Sequence, residues 1–153
     1  MKKLHINGRS FYNDAHQPFF YTACTAWELF HKLTLEEAGR YLINRAEKGF
    51  NVVQAVAVCE LDGLHTPTLE GGHLPFTDFT TLEPNDAYFS HLRKVTEMAN
   101  QLGIYIALVP MWGSHWSVNN SWEPIKRLCL IRIMSSNFAG ISAINCLAPA
   151  SCG

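Results

Sequence analysis

The clearest pattern in the chain is an apolar run, Val52 to Val58, broken only by Gln54, preceded by Gly49 and followed at once by Cys59, Glu60, Leu61 and Asp62. An apolar run of that length predicts a strand buried on both faces, as in a parallel sheet. Two further runs end the same way. Residues 104–109 are apolar and lead into Pro110, Met111, Trp112 and Gly113. Residues 19–23 are aromatic and β-prone, and lead into Cys24, Thr25, Ala26, Trp27 and Glu28. These are expected to be the third and first strands of one sheet.

Between the strands the period changes to that of a helix. Leu35, Ala38, Leu42 and Ala46 form one apolar stripe. Thr34-Leu35-Glu36-Glu37 opens it as a capping box, and Gly49 closes it with a left-handed cap. A second stripe, Tyr88, Leu92, Val95, Ala99 and Leu102, starts at Pro84-Asn85-Asp86 and is capped by Gly103. Ahead of everything, Asn7-Gly8 lies between two short β-prone runs, which predicts a hairpin with a type I′ turn. Residues 13–18 read as another turn. Residues 61–83 are rich in Gly, Pro, Thr and His without any period. A loop that long in a compact domain is usually functional or disordered. The order hairpin, β, α, β, loop, α, β predicts two right-handed βαβ units and an α/β parallel sheet. Three parallel strands and two helices begin a (β/α)8 TIM barrel or a doubly wound sheet without completing either.

The composition fits a globular chain, with 48% hydrophobic and 16% charged residues in 153 and a formal net charge of -1. Without a basic excess to neutralise phosphates, nucleic acid is not expected as a partner. No 18-residue apolar run predicts a membrane span, and no secretory h-region follows Lys2-Lys3, so a cytoplasmic location is expected. The five cysteines (Cys24, Cys59, Cys129, Cys146, Cys152) have no zinc-like spacing and read as free thiols. All 13 acidic residues lie at or before Glu123. An exposed segment normally carries both charge signs. Residues 1–122 are therefore expected to form the domain, and 123–153 an atypical tail, a truncation scar or an out-of-frame extension.

The carboxyl ends of parallel strands are where α/β proteins bind ligands. Trp27 and Trp112 each follow such an end, where an indole either stacks on a sugar ring or packs the mouth. Glu60 and Asp62 follow the second strand. Glu60 reads as a carboxylate for hydroxyl recognition, or as a partner of Arg45; Asp62-Gly63 reads more simply as a turn. Gln54 and Asn51 interrupt the apolar strand, so their amides either reach a ligand or satisfy neighbouring backbone. His115 lies between Trp112 and Trp116 and is a further candidate contact. His65, His73 and Glu70 share the long loop without metal-ligand spacing, so no metal is expected.

Two segments, TACTAWELFHKLTLEEAGRYLINRAEKGFNVVQAVAVCELDG and PNDAYFSHLRKVTEMANQLGIYIALVPMWG, together resemble the apiosidase-like glycoside hydrolases. The resemblance spans roughly residues 4–116. It implies the N-terminal portion of a TIM barrel and a retaining hydrolase of glycosidic bonds in plant pectic side chains. The implied partner is a carbohydrate, with no cofactor. Retaining cleavage needs two carboxyl groups about 5 Å apart. In the family the first is an Asp in a Gly-Gly-Asp turn after strand four, a motif absent here, so no residue of this chain is assigned a catalytic role. The expectation is a chain inactive by itself. Cys24 stands where the family has Asp, replacing a carboxylate acceptor at the mouth by a thiol. Residues 66–71 also depart from the family's Thr-Pro-Asn loop. Two other readings stay open: a non-catalytic carbohydrate-binding module, and a small enzyme pairing Glu60 with Asp62 or Glu28.

Overall fold

The computed structural model describes residues 4–60, 62–81 and 83–112. The expected boundary near residue 122 and the candidate His115 lie outside the described residues.

Strands β1 (Leu4–Asn7), β2 (Ser10–Asn13) and β3 (Pro18–Phe19) form a small antiparallel sheet. Asn7 pairs with Ser10, so the turn centres on Gly8-Arg9 rather than on Asn7-Gly8. Gly8 has φ 61, and Arg9 does not share that sign. A positive φ at the first central residue alone is the type II′ pattern, which corrects the expected type I′ turn. The turn at 13–18 forms as expected. The Asn13 side-chain oxygen accepts from the Ala15 and Gln17 amides at 3.0 and 2.9 Å.

The predicted first strand divides. Its start, Phe19, pairs with Phe11 in the small sheet. The main-sheet strand begins later, as β4 (Ala23–Thr25). Asn51 causes the break. Its amide donates to the Phe20 carbonyl at 2.7 Å, and its oxygen accepts from the Thr22 amide at 2.9 Å. Those backbone groups are thereby satisfied outside any ladder. Asn51 thus serves the backbone, and it holds the crossing between the two sheets.

The main sheet is parallel, in the order β4, β5 (Val52–Val58), β8 (Tyr105–Met111). Helix α1 (Leu35–Glu47) connects the first pair, and α2 (Asp86–Gln101) precedes β8. The capping box forms in full: Thr34 Oγ1 accepts from the Glu37 amide at 3.2 Å, and the Glu37 carboxylate accepts from the Thr34 amide at 2.9 Å. At the other end of α1, Gly49 takes φ 80. Asn85 caps α2 by accepting from the Ala87 amide at 3.1 Å.

Val53, Ala55 and Ala57 of β5 and Ile106 and Leu108 of β8 pack with Ala38 and Leu42 of α1 and Tyr88, Leu92, Val95 and Ala99 of α2. Tyr88, fully buried, donates its hydroxyl to the Ala57 carbonyl. Both predicted stripes therefore face the sheet, except at Leu102. That residue is 37% exposed, because it lies past the last turn of α2 as its C-cap.

The described residues of the long connection between β5 and α2 carry structure of their own. The connection contains a two-stranded antiparallel pair, β6 (Phe76–Asp78) and β7 (Glu83–Pro84). It is also tied to the rest of the fold. The Leu69 amide donates to the His31 carbonyl at 2.9 Å, and Glu70 accepts from the Leu35 amide at 3.2 Å. At the amino ends of the parallel strands, Phe19 meets Tyr105 edge to face at 5.3 Å, so the small sheet covers that end. No helix among the described residues is long and apolar enough to cross a membrane.

Candidate functional site

The ladder of β5 continues beyond its neighbours' ends and carries both tryptophans. The Val56 amide donates to the Trp27 carbonyl at 3.3 Å, and the Trp112 amide donates to the Val58 carbonyl at 3.1 Å. One indole is thus fixed on each side of β5. The two half-buried rings meet at its carboxyl end, with centroids 5.3 Å apart and planes inclined at 68°. An edge-to-face pair leaves ring surface open while locking both rings. Exposed aromatic surface beside polar groups is the chemistry of sugar binding, since a pyranose or furanose offers both C–H faces and hydroxyls.

Glu60 is half-buried at the same end, immediately after Cys59. The suggested partner Arg45 is not near it in the fold. Its guanidinium lies over Tyr41 and Phe50, 5.2 and 5.5 Å from the ring centroids, at the opposite end of the sheet. Asp62 follows, with φ 68. Its carboxylate pairs with His65 Nδ1 at 2.8 Å and accepts from the Thr66 hydroxyl at 3.2 Å. The His65 bond, chiefly, holds the Asp62 carboxyl below its ordinary value. Its carbonyl also accepts from the His65 and Thr66 amides, so Asp62 builds a turn.

Gln54 is the half-buried position of an otherwise buried strand. It alternates with Val53 and Ala55, which face the helices, and so lies on the other side of the sheet. Cys24, expected at the mouth, points instead toward α1, where its sulfur lies 3.4 Å from the Tyr41 hydroxyl. A thiol at the start of a parallel ladder, with its odd-even partner Thr25 on the opposite face, packs under the helix. Burial and the Cys24 contact push the Tyr41 hydroxyl up to about 12. No disulfide joins Cys24 and Cys59. Among the described residues no group of three acidic, His or Cys side chains could hold a metal ion.

Sequence reasoning gave Glu28 little weight and missed His31. Both stand on the turn that follows Trp27. Glu28 Oε2 pairs with Lys32 at 2.6 Å, while Oε1 is buried and has no hydrogen-bond partner among the described residues. His31 Nδ1 is in the same condition. Burial lowers the His31 pKa, against the opposing charges of Glu28 and Asp62. Burial, with Glu28 next, pushes the Cys59 thiol up to about 11. The available signal was the four-residue Glu28–Lys32 spacing, which marks a helical turn where a plain loop was expected.

A family model described as "Apiosidase-like, catalytic domain" matches residues 5–139. No curated protein matches the chain. Among solved structures, a glycoside hydrolase family 5 protein from Bacteroides vulgatus ATCC 8482 is 26% identical with a TM-score of 0.61, over 73% of this chain and 25% of that one. A second, titled glycoside hydrolase, is 26% identical with a TM-score of 0.57, over 75% and 27%. The endo-1,4-beta-mannanase of Rhizomucor miehei shares the fold, with 15% identity, a TM-score of 0.51, and 69% and 29% covered. The chain spans about a quarter of the length of the first two. Its parallel strands and helices are part of a TIM barrel.

Proposed function

The chain belongs to the apiosidase-like glycoside hydrolases, and from that premise we propose that its part in the family's reaction is to bind the carbohydrate at the carboxyl ends of β4, β5 and β8. The reaction is retaining hydrolysis of a glycosidic bond in plant pectic side chains. The observation that carries this reading is the Trp27–Trp112 pair, an aromatic surface built across the end of the central strand. Glu60 beside it supplies an acceptor for sugar hydroxyls, and Gln54 an amide on the inner face.

The cleaving carboxyl pair is not drawn from the described residues. Asp62 is engaged by His65 and Thr66, while Glu28 gives one oxygen to Lys32 and keeps the other buried without a partner among the described residues. Retention requires a nucleophile about 5 Å from a partner acid, and the Gly-Gly-Asp turn that carries the family's first catalytic carboxylate has no counterpart in this sequence. Residues 1–153 alone are therefore expected to bind pectic oligosaccharides without cleaving them.

Titrating the protein with pectic oligosaccharides, while following tryptophan fluorescence and reducing-end release together, tests the reading. Fluorescence change without release supports it. Release abolished by Glu60→Gln would replace it with the small-enzyme reading, and absence of binding would remove the sugar site. A free-standing carbohydrate-binding module rests on the same ring pair.

A further inference from the structure

We propose that the connection between β5 and α2 carries a second sugar subsite, in which the His65 ring, backed by Phe79, receives the next residue of an oligosaccharide bound at the mouth. The connection leaves β5 at its carboxyl end, and its first turn begins at Asp62, two residues beyond Glu60. Its first turn holds His65 and its later turn holds Phe79, and the two rings stack with centroids 5.2 Å apart and planes at 28°. His65 is 51% exposed and Phe79 38% exposed, so the stack reaches solvent.

One aspartate orients the His65 ring and another closes the turn that carries Phe79. Asp62 takes the His65 Nδ1 at 2.8 Å, which orients the imidazole and turns Nε2 away from the carboxylate. Asp78 accepts from the Thr80 and Thr81 amides at 2.7 and 3.4 Å, which closes the turn that presents Phe79. Phe76, 2% exposed, braces Phe79 edge to face at 5.8 Å. Asp62 takes φ 68, a conformation that side chains other than glycine's rarely adopt. The connection is also anchored at its middle, through Leu69 to His31 and Glu70 to Leu35. It presents two part-exposed stacked rings, with His65 Nε2 pointing away from the Asp62 carboxylate. A neutral sugar ring fits both features, a C–H face on the imidazole and a hydroxyl on Nε2.

The inference rests on the proposed sugar site at the mouth, and the test separates the two. Isothermal titration of the full chain compares a methyl glycoside of apiose with pectic oligosaccharides for wild type, His65→Ala, Phe79→Ala and Phe79→Tyr, each checked for folding by circular dichroism. His65→Ala and Phe79→Ala are expected to bind the oligosaccharides roughly three- to tenfold more weakly, the loss of one net hydrogen bond or ring contact. Both should leave the monosaccharide unaffected. Phe79→Tyr, which keeps the ring, should match wild type, and with His65→Ala it decides the case if Phe79→Ala does not fold. Wild-type affinity for oligosaccharides in His65→Ala overturns the subsite and leaves the mouth intact. So does an equal loss for both ligands. A wild-type protein that binds neither ligand overturns the subsite and the proposed function together.

Discussion

Trp27 and Trp112 lie 85 positions apart by their numbering and touch across the end of β5, with ring centroids at 5.3 Å. Each is tied by a backbone hydrogen bond to that strand, at Val56 and at Val58. The pair is thus a property of strand register. A one-residue slip of either neighbour would separate the rings.

A double-mutant cycle measures this contact. Trp27→Ala and Trp112→Ala, singly and together, are expected to show a coupling of about 0.5–1.5 kcal/mol in urea unfolding. Each single variant should also lose most of the fluorescence response to pectic oligosaccharides. Additive effects on stability would mean that the rings do not support one another.

Tyr88 and Ala57 tie α2 to the sheet by a buried hydrogen bond. The buried phenol donates to a strand carbonyl, and burial pushes its pKa far above the ordinary value. Tyr88→Phe keeps the ring and removes the donor. It should cost about 1–3 kcal/mol, because a buried carbonyl loses its partner. An unchanged urea midpoint would show that the carbonyl finds another donor.

Gly63 is buried against Cys59, and a methyl group there would lie 2.6 Å from both the Cys59 carbonyl oxygen and its sulfur. The carbonyl is backbone and cannot step aside. Gly63→Ala is expected to cost about 1–3 kcal/mol through overpacking, and to shift the Asp62 turn. Thermal melts check the first effect. The imidazole proton signals of His65 check the second.

Acid should weaken the fold in two stages. His31 and His91 are lowered from 6.5 by burial. Below pH 6.5 the unfolded chain therefore binds more protons than the folded one, and stability declines as pH falls. Glu37, Asp62 and Asp78 are lowered from 4.5, 3.8 and 3.8 by hydrogen bonds from Thr34, His65 and Thr80 respectively. Their contribution is complete above those values and is lost as pH falls through the lowered ones. Melting temperatures should be level above about pH 7, fall below 6.5, and fall again below 4.5. His91→Gln, which can still donate to the Phe30 carbonyl, should flatten the first decline. A melting temperature constant from pH 7 to 5 would contradict this account.

The parts of the fold that were legible in the sequence are those set by local chemistry. The capping box at Thr34 and Glu37, the glycine ends of both helices and the apolar stripes need only neighbours within a turn or two. The β5 run announces its burial on both faces in the same way. What was not legible depends on distant partners. Asn51 breaks the first strand because its amide meets Phe20 and Thr22, 31 and 29 residues away. The long connection lacks any period because its structure comes from ties to His31 and Leu35, not from a stripe of its own. Cys24 turned out to face Tyr41, since strand parity is fixed only once the start of β4 is known.

The candidate site divides similarly. Placing Trp27, Glu60, Asp62 and Trp112 at strand ends required only the apolar runs. That the two indoles meet required the parallel register of three strands. Glu28 and His31 could be weighed only after the turn beyond Trp27 was seen to bury them.

The small sheet at the amino ends has a practical consequence. Phe19 holds it against Tyr105, and its Gly8-Arg9 turn is exposed, on the side of the sheet away from the tryptophans. A linker or reporter grafted at that turn would tether the molecule with its tryptophan-bearing end toward bulk solvent. The fold thus supplies its own oriented handle for immobilisation on a sensor surface.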